Sequence, residues 1–231
     1  NTHFVNCTGL DDGADAGEHL TTARDIAIMS RELIKHDKIY NYTKIWTDTM
    51  RGGKFELANT NKLIRYYNGA TGLKTGSTSK AGCCLSATAE RNGMSLIAVV
   101  LGAPDTKTRF SSASALLNSG FAGYSIDKKL ESGEIVGKIN VRRGKSEQVD
   151  VVAKDGYSVL VSKANPVETE KTIKMDDYVI APVAEGDKVG EAVFTQNGKE
   201  IAVVDLVAKN DVGKKSFARI LAELLHGLVS F

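Results

Sequence analysis

The sequence predicts an α+β protein, in which helices and an antiparallel sheet precede a small all-β sandwich and a terminal amphipathic helix. Three observations predict this order. Up to about residue 126, apolar positions at helical spacing alternate with long apolar, β-branched runs. From 127 to 212, short segments alternate in polarity, as the strands of a sandwich do. From 213 to 231, helical spacing returns.

The composition is that of an ordinary globular protein. The chain has 231 residues, of which 42% are hydrophobic and 25% are charged, and this is enough to bury a sizeable core. A net charge of +2 gives no reason to expect nucleic acid as a partner. Scattered histidines and the lack of a C-x-x-C pattern predict no metal site, and no motif implies a cofactor. Because neighbouring strand residues face opposite sides, one of Cys83 and Cys84 is expected in the core.

The first half begins with a helix-forming segment. Thr22 followed by Asp25 resembles a capping box, and the apolar stripe after it predicts a helix over about 22–36. Residues 40–55 lack a sustained periodic pattern and are expected to form a loop and a short strand.

Two strands and a second helix come next. Segments 83–89 and 94–101 are joined through an Asn-Gly pair, which is a strong signal for a tight hairpin turn. The second segment is apolar and β-branched, which favours a buried central strand. A helix is expected over 106–118, with Gly120 ending it.

The second half reads as a succession of strands. Their alternating polarity is typical of a sheet with one buried face, and a second Asn-Gly pair predicts a hairpin between the last two. The expected strands span 134–140, 147–152, 157–161, 171–175, 192–196 and 200–207.

The last segment is an amphipathic helix by its spacing, with the charged residues largely away from the apolar ones. The helix either docks on the protein or lies in a membrane interface with its apolar stripe in lipid. No run of about 18 apolar residues occurs, so no membrane-spanning helix is expected. The apolar stripe consists of Phe217, Ile220, Leu221, Leu224, Leu228 and Phe231.

Lys74-Thr75-Gly76 is the most informative triplet in the chain. A Lys-Thr-Gly triplet is the third motif of the serine enzymes that react with penicillin. On a strand, the ammonium and hydroxyl groups can meet a carboxylate, and glycine lets a substrate backbone approach the strand edge. Taken alone, a triplet of this kind is a weak signal, because it can occur by chance and a solvated strand end explains it more readily.

The surroundings of the triplet resemble the D-alanyl-D-alanine carboxypeptidases, the low-molecular-mass penicillin-binding proteins. The resemblance lies in residues 72–82, followed by two apolar strands and a helix, with further matches in 1–4, 22–25 and 59–63. The β-rich second half and the terminal helix match too, so the resemblance covers essentially the whole chain. It implies part of a penicillin-binding, β-lactamase-like transpeptidase domain in the first half. The asparagines within 59–63 either shape the cleft or serve as turn or cap residues.

The resemblance also implies which residues hold the substrate. Lys74, Thr75 and Gly76 would line the cleft, and Arg109 stands where the family has an arginine that binds the terminal carboxylate of the substrate. A guanidinium suits bidentate capture of a carboxylate. Ser77 follows the triplet where the family often has His, Phe or Tyr, so its place in the cleft departs from the family's pattern.

Of the family's two other motifs, one is absent from the sequence and the other occurs only where it could not supply the nucleophile. Ser-x-Asn does not occur in the sequence. Residues 77–80 have the Ser-x-x-Lys spacing, but they form the turn directly after the triplet, whereas the nucleophile should come from a helix that faces it. We therefore expect no catalytic residue in this chain. The chain, which begins with Asn1, resembles the C-terminal portion of a longer precursor and is expected to be inactive alone.

The resemblance implies a reaction, partners and a location. The family's enzymes remove the terminal D-alanine of peptidoglycan pentapeptides through a serine acyl-enzyme, and β-lactam antibiotics inhibit the intact enzyme. The protein would lie outside the cytoplasmic membrane, beside the cell wall, peripheral to the membrane surface through its last helix. Two other functions stay open. One is a serine β-lactamase, against which the β-rich second half argues, and the other is a non-catalytic cell-wall binding or scaffold protein.

Overall fold

The computed structural model describes residues 1–10, 16–218 and 221. The chain divides into two compact units, the first ending at Ser125 and the second beginning at Ile126. The first unit contains 3-10 turns at Ala16–Glu18 and Asp37–Ile39, helices α1 (Ala23–Leu33), α2 (Tyr40–Thr43), α3 (Leu63–Tyr66) and α4 (Thr106–Gly123), and strands β1 (Thr47–Met50), β2 (Phe55–Ala58), β3 (Ala70–Thr78), β4 (Gly82–Arg91) and β5 (Met94–Ala103).

Helix α1 begins where the sequence predicts it. The Thr22 hydroxyl accepts a hydrogen bond from the Asp25 N–H at 3.0 Å, which satisfies a backbone donor that the first helical turn leaves unpaired. The helix ends at Leu33, three residues before the predicted end. Ser30 is buried, and its hydroxyl lies 2.7 Å from that of Ser86 on β4, so α1 packs against the sheet.

Strands β3, β4 and β5 form an antiparallel sheet in that order. The expectation of β5 as the central strand is therefore wrong: β4 is central and carries the fully buried residues. Apolar, β-branched composition does not separate a central strand from an edge strand that a helix covers. The hairpin between β4 and β5 is confirmed, with φ of 52° at Asn92 and 74° at Gly93.

Helix α4 covers one face of this sheet. Its Ala113 and Leu117 pack on Leu85 and Ala87 of β4 in one buried cluster. The helix runs on to Gly123, so the expectation that Gly120 ends it is wrong. A Cβ on Gly120 would lie 2.6 Å from Leu96 Cδ1 of β5. Glycine therefore lets α4 lie close to the Leu96 side chain here, and it does not end the helix.

The second unit is an all-β sandwich, as the sequence predicts. A six-stranded sheet has the order β10-β12-β13-β8-β7-β11, and β6 pairs with β9 in a second sheet. The ring centroids of Tyr157 on β9 and Phe194 on β12 lie 4.4 Å apart in the core between the sheets. The strands are β6 (Tyr124–Leu130), β7 (Ile135–Arg142), β8 (Gln148–Ala153), β9 (Tyr157–Ser162), β10 (Glu170–Met175), β11 (Tyr178–Ile180), β12 (Lys188–Gln196) and β13 (Lys199–Ala208).

Some sequence expectations for this half are corrected and others are left open. The sequence did not predict strands β6 and β11. β6 lies where the sequence pattern of the first half changes to that of the second, and β11 has only three residues. The amphipathic helix expected from 213 to 231 does not begin at 213, because residues 213–216 are not helical and Lys214 pairs with Gly144 in an isolated β-bridge. Most of the remaining segment lies outside the described residues. Within the described part of the chain, no helix is long and apolar enough to cross a membrane.

The cysteines differ from the expectation. Cys83 and Cys84 are both half-buried, so neither belongs to the core, and Cys7 is exposed. Both residues of the pair lie near the start of β4, where the strand has not yet entered the cluster packed beneath α4.

Candidate substrate-binding site

Lys74-Thr75-Gly76 lies on β3, at the edge of the three-stranded sheet. On one side, Lys74, Thr75 and Gly76 pair with β4. On the other side, no strand within the described ranges pairs with β3. An edge strand presents unpaired backbone donors and acceptors, which an extended peptide can bind as an added strand.

Lys74 is exposed, and its Nζ donates a hydrogen bond to the carbonyl of Thr75 at 2.5 Å. In the antiparallel register Lys74 is opposite Ser86, and such partners share a face of the sheet. Since Ser86 contacts Ser30 of α1, the ammonium group lies on the α1 side of the sheet.

Thr60, in the loop between β2 and α3, contacts Thr75. The two hydroxyl groups lie 2.7 Å apart. Both asparagines that flank Thr60 fix the loop that carries it. Asn61 is 2% exposed and donates to the Gly72 carbonyl at 2.9 Å, and Asn59 donates to the Ile45 carbonyl at 2.8 Å. The sequence left these asparagines between a cleft role and a turn role, and their contacts are those of loop anchors. Thr60 itself had not been singled out, although its position between two asparagines marks a rigid loop.

Arg109 lies behind the triplet on α4 and is only 6% exposed. Its Nη1 donates to the carbonyls of Gly76 and Cys84, at 3.2 and 3.3 Å. Its guanidinium also stacks on the ring of Phe110, 4.7 Å from the centroid. Within the described residues its buried Nε has no hydrogen-bond partner, and no carboxylate forms an ion pair with it. A buried cation without an anionic partner is costly, so this site favours an incoming anion.

Ser77 is exposed beyond the triplet, with its Oγ 3.7 Å from Cys83 Sγ. Residues 77–80, which have the Ser-x-x-Lys spacing, lie at the end of β3 and in the turn after it. They are not on a helix, where the serine and lysine of an acyl-transfer enzyme would lie on one face. The same spacing occurs from Ser125 to Lys128, which lie on β6. On a strand, residues three apart face opposite sides, so these two side chains do not converge.

Two family models match the chain. The model described as D-alanyl-D-alanine carboxypeptidase matches residues 1–105. The model described as penicillin-binding protein 5, C-terminal domain, matches residues 124–214.

Two curated relatives align with nearly the whole chain. The D-alanyl-D-alanine carboxypeptidase DacF of Bacillus subtilis is 34% identical over all of this chain and 59% of its own length. DacA of Haemophilus influenzae is 34% identical over 99% of this chain and 57% of its own length. The chain therefore spans less than two thirds of these relatives.

Solved structures agree in fold. Penicillin binding protein 5 from Haemophilus influenzae has a TM-score of 0.62 and 32% identity, over 93% of this chain and 62% of that one. PBP3 from Streptococcus pneumoniae, titled a peptidoglycan synthesis regulatory factor, has a TM-score of 0.63 and 26% identity, over 83% of this chain and 57% of that one.

Proposed function

The chain belongs to the family of D-alanyl-D-alanine carboxypeptidases, and on that premise we propose that it forms the substrate-holding wall of a serine carboxypeptidase. The reaction is removal of the terminal D-alanine from a peptidoglycan pentapeptide through an acyl-enzyme. Residues 1–126 contribute to the catalytic domain, 127–212 form the accompanying β-sandwich, and the apolar residues of the C-terminal segment meet the outer surface of the cytoplasmic membrane. The protein acts beside the cell wall, and β-lactams inhibit the intact enzyme.

The edge of β3 supports the binding of an extended stem peptide. The peptide backbone adds to the open edge as a further strand, as peptides do at exposed sheet edges. A Cβ at Gly76 would meet no atom within 4 Å, so the space beside this residue is open to a substrate backbone. Ser77 lies exposed at the end of this edge and lines the cleft there.

Two cations lie near the triplet, Lys74 on the α1 side of the sheet and Arg109 behind it on α4, and together they favour a negatively charged end of the substrate. The substrate ends in a carboxylate, for which Lys74 Nζ, the Thr75 hydroxyl and the guanidinium of Arg109 are suitable donors. The observation that carries the proposal is the buried guanidinium behind Gly76, with an Nε that has no partner within the described residues. An anionic ligand would offset the cost of burying that charge.

No residue of this chain is proposed as the nucleophile. The acyl-enzyme requires a Ser-x-x-Lys on a helix that faces β3, and neither match to that spacing in this chain lies on a helix. The chain by itself therefore binds the stem peptide without reacting with it.

The test is binding of N-acetyl-Lys-D-Ala-D-Ala to the 231-residue chain, measured by NMR titration. Lys74→Ala removes the exposed ammonium and should weaken binding by about tenfold, since charged hydrogen bonds contribute about 1.5–3 kcal/mol. Lys199→Ala, at an exposed strand lysine of the second unit, should leave binding unchanged. Equal binding by the two variants would contradict the assignment of the cleft.

Fluorescent penicillin separates binding from reaction. The chain should remain unlabelled on a denaturing gel, because no nucleophile is proposed within it. Stoichiometric covalent labelling would show that a serine of this chain reacts, and the proposal would then fail.

A further inference from the structure

A pocket of about 220 Å³ opens beside the β1–β2 hairpin in the first unit. Aromatic and aliphatic side chains form most of its wall, and Asp48 adds a carboxylate. A cavity of this size lies below the roughly 300–1,000 Å³ of sites for drug-sized ligands, so it suits a single ring. The wall includes Tyr42, Ile45, Trp46, Asp48, Leu57 and Asn59.

An aromatic cluster adjoins the pocket through Trp46, which lines the wall and is half-buried. Trp46 and Tyr66 meet edge to face with ring centroids 6.2 Å apart. The guanidinium carbon of Arg65 lies 5.6 Å from the Trp46 centroid and 5.7 Å from the Tyr66 centroid. Tyr66 is 73% exposed and Tyr42 is 64% exposed. Clustered exposed rings are uncommon on a surface without a binding role.

The hairpin extends this apolar surface. In the antiparallel register Asp48 pairs with Leu57, and Met50 pairs with Phe55. Directly opposite residues and those two positions further along a strand share one face. The same face therefore carries one carboxylate among three apolar side chains, each about half exposed.

The pocket is joined to the proposed peptide site by a short, rigid loop. Asn59 lines the pocket, and its N–H donates to the Trp46 carbonyl at 2.7 Å. The next residue, Thr60, contacts the Thr75 hydroxyl of the triplet. Two residues adjacent in the sequence therefore connect the pocket and the triplet.

We propose that this pocket binds a pyranose ring of an N-acetylated glycan strand, the sugar part of the polymer whose peptide binds at β3. This inference rests on the proposed function. The C–H face of a pyranose packs on an aromatic ring, while Asp48 and Arg65 offer an acceptor and donors to hydroxyl and acetamido groups. A purely apolar partner would leave both charges to be desolvated without compensation, which favours a sugar over an apolar peptide.

The test uses the 231-residue chain and the β-1,4-linked tetramer of N-acetylglucosamine. Trp46 is the single tryptophan of the chain, so a saturable change in its fluorescence on titration reports the site directly. Tyr66→Ala removes an exposed ring and should weaken binding by about tenfold, as aromatic anchors of binding sites do. Tyr178→Ala is the matched control, because Tyr178 is another exposed tyrosine under an arginine, Arg142, in the second unit. It should bind the tetramer like the parent chain.

The experiment distinguishes failure of the sugar site from failure of the peptide site. Lys74→Ala should bind the tetramer normally while it loses affinity for N-acetyl-Lys-D-Ala-D-Ala. If the peptide binds and the tetramer does not, the sugar site is wrong and the proposed function stands. If the tetramer binds and the peptide does not, the proposed function fails. Tetramer binding that survives Tyr66→Ala and Asp48→Ala together overturns the pocket assignment, as does self-association of the chain that covers Trp46.

Discussion

Several side chains around the triplet hold the backbone of β3 and its neighbours in place through hydrogen bonds. Asn61 ties its loop to Gly72 of β3 and accepts a hydrogen bond from the Leu63 N–H. Arg109 binds two carbonyls of adjacent strands from behind. A binding site built on an edge strand needs such anchors, because half of its backbone groups lack a partner strand.

At the residue scale, the first turn of α4 predicts a pH dependence. Asp105 accepts from the Thr108 N–H at 2.7 Å, and this hydrogen bond is the main cause that lowers the pKa of its carboxyl group. The folded-state pKa lies below the unfolded value of about 3.9. The stabilisation is therefore present above that value and is lost as pH falls through the folded pKa.

Asp105→Asn tests this dependence, because asparagine caps a helix about as well as aspartate but carries no charge. The parent chain should be more stable than the variant at pH 6, and the difference should shrink as pH falls below the unfolded-state pKa of about 3.9 and through the lowered folded-state pKa. Urea unfolding followed by Trp46 fluorescence measures this, since Trp46 lies in the first unit. A difference that stayed constant with pH would contradict the assignment.

At the element scale, α4 lies close to the Leu96 side chain of β5 at Gly120. Gly120→Ala forces the flexible end of Leu96 to move, and this cost should offset the gain of about 1 kcal/mol that alanine brings to a helix, so the variant should be less stable than Gly123→Ala. Gly123→Ala is the matched control in the same helix, because a Cβ there meets nothing within 4 Å. Urea unfolding compares the two, and equal stabilities would contradict the close approach.

Local signals predicted some elements well and others poorly. The Thr22 cap and the Asn92-Gly93 turn are confirmed because each depends on neighbouring residues alone. The end of α4 and the order of the strands depend on contacts between distant segments, so local patterns did not determine them. Gly120 illustrates this, since a helix-stop signal and a close-packing glycine are the same letter in the sequence.

At the scale of the whole molecule, the first unit exposes much apolar surface. Ile28 and Met29 are each 42% exposed on α1, and Leu33 is 44% exposed. Apolar side chains grouped on one helix mark a contact surface. We expect a protein of residues 1–125 alone to be poorly stable or to associate through this face.

Sedimentation at increasing concentration tests this expectation. Residues 1–125 should show a rising average mass, and Met29→Glu with Leu33→Glu should reduce it by placing charge on one face of α1, because residues four apart on a helix are neighbours. Residues 126–214, which have their own core around Phe194, provide the comparison and should stay monomeric. A monomer with a cooperative melt at high temperature would falsify the expectation for the first unit.

The sequence by itself determined the family, the α+β order with its β-sandwich, and the triplet, because these depend on short motifs and on the period of apolar residues. Only the tertiary structure decided that Lys74-Thr75-Gly76 lies on an edge strand, that Thr60 contacts it and that a buried Arg109 lies behind it. The aromatic pocket beside Asn59 also emerged only there. These features join residues far apart in sequence, whose proximity is set by strand pairing and packing rather than by any local pattern.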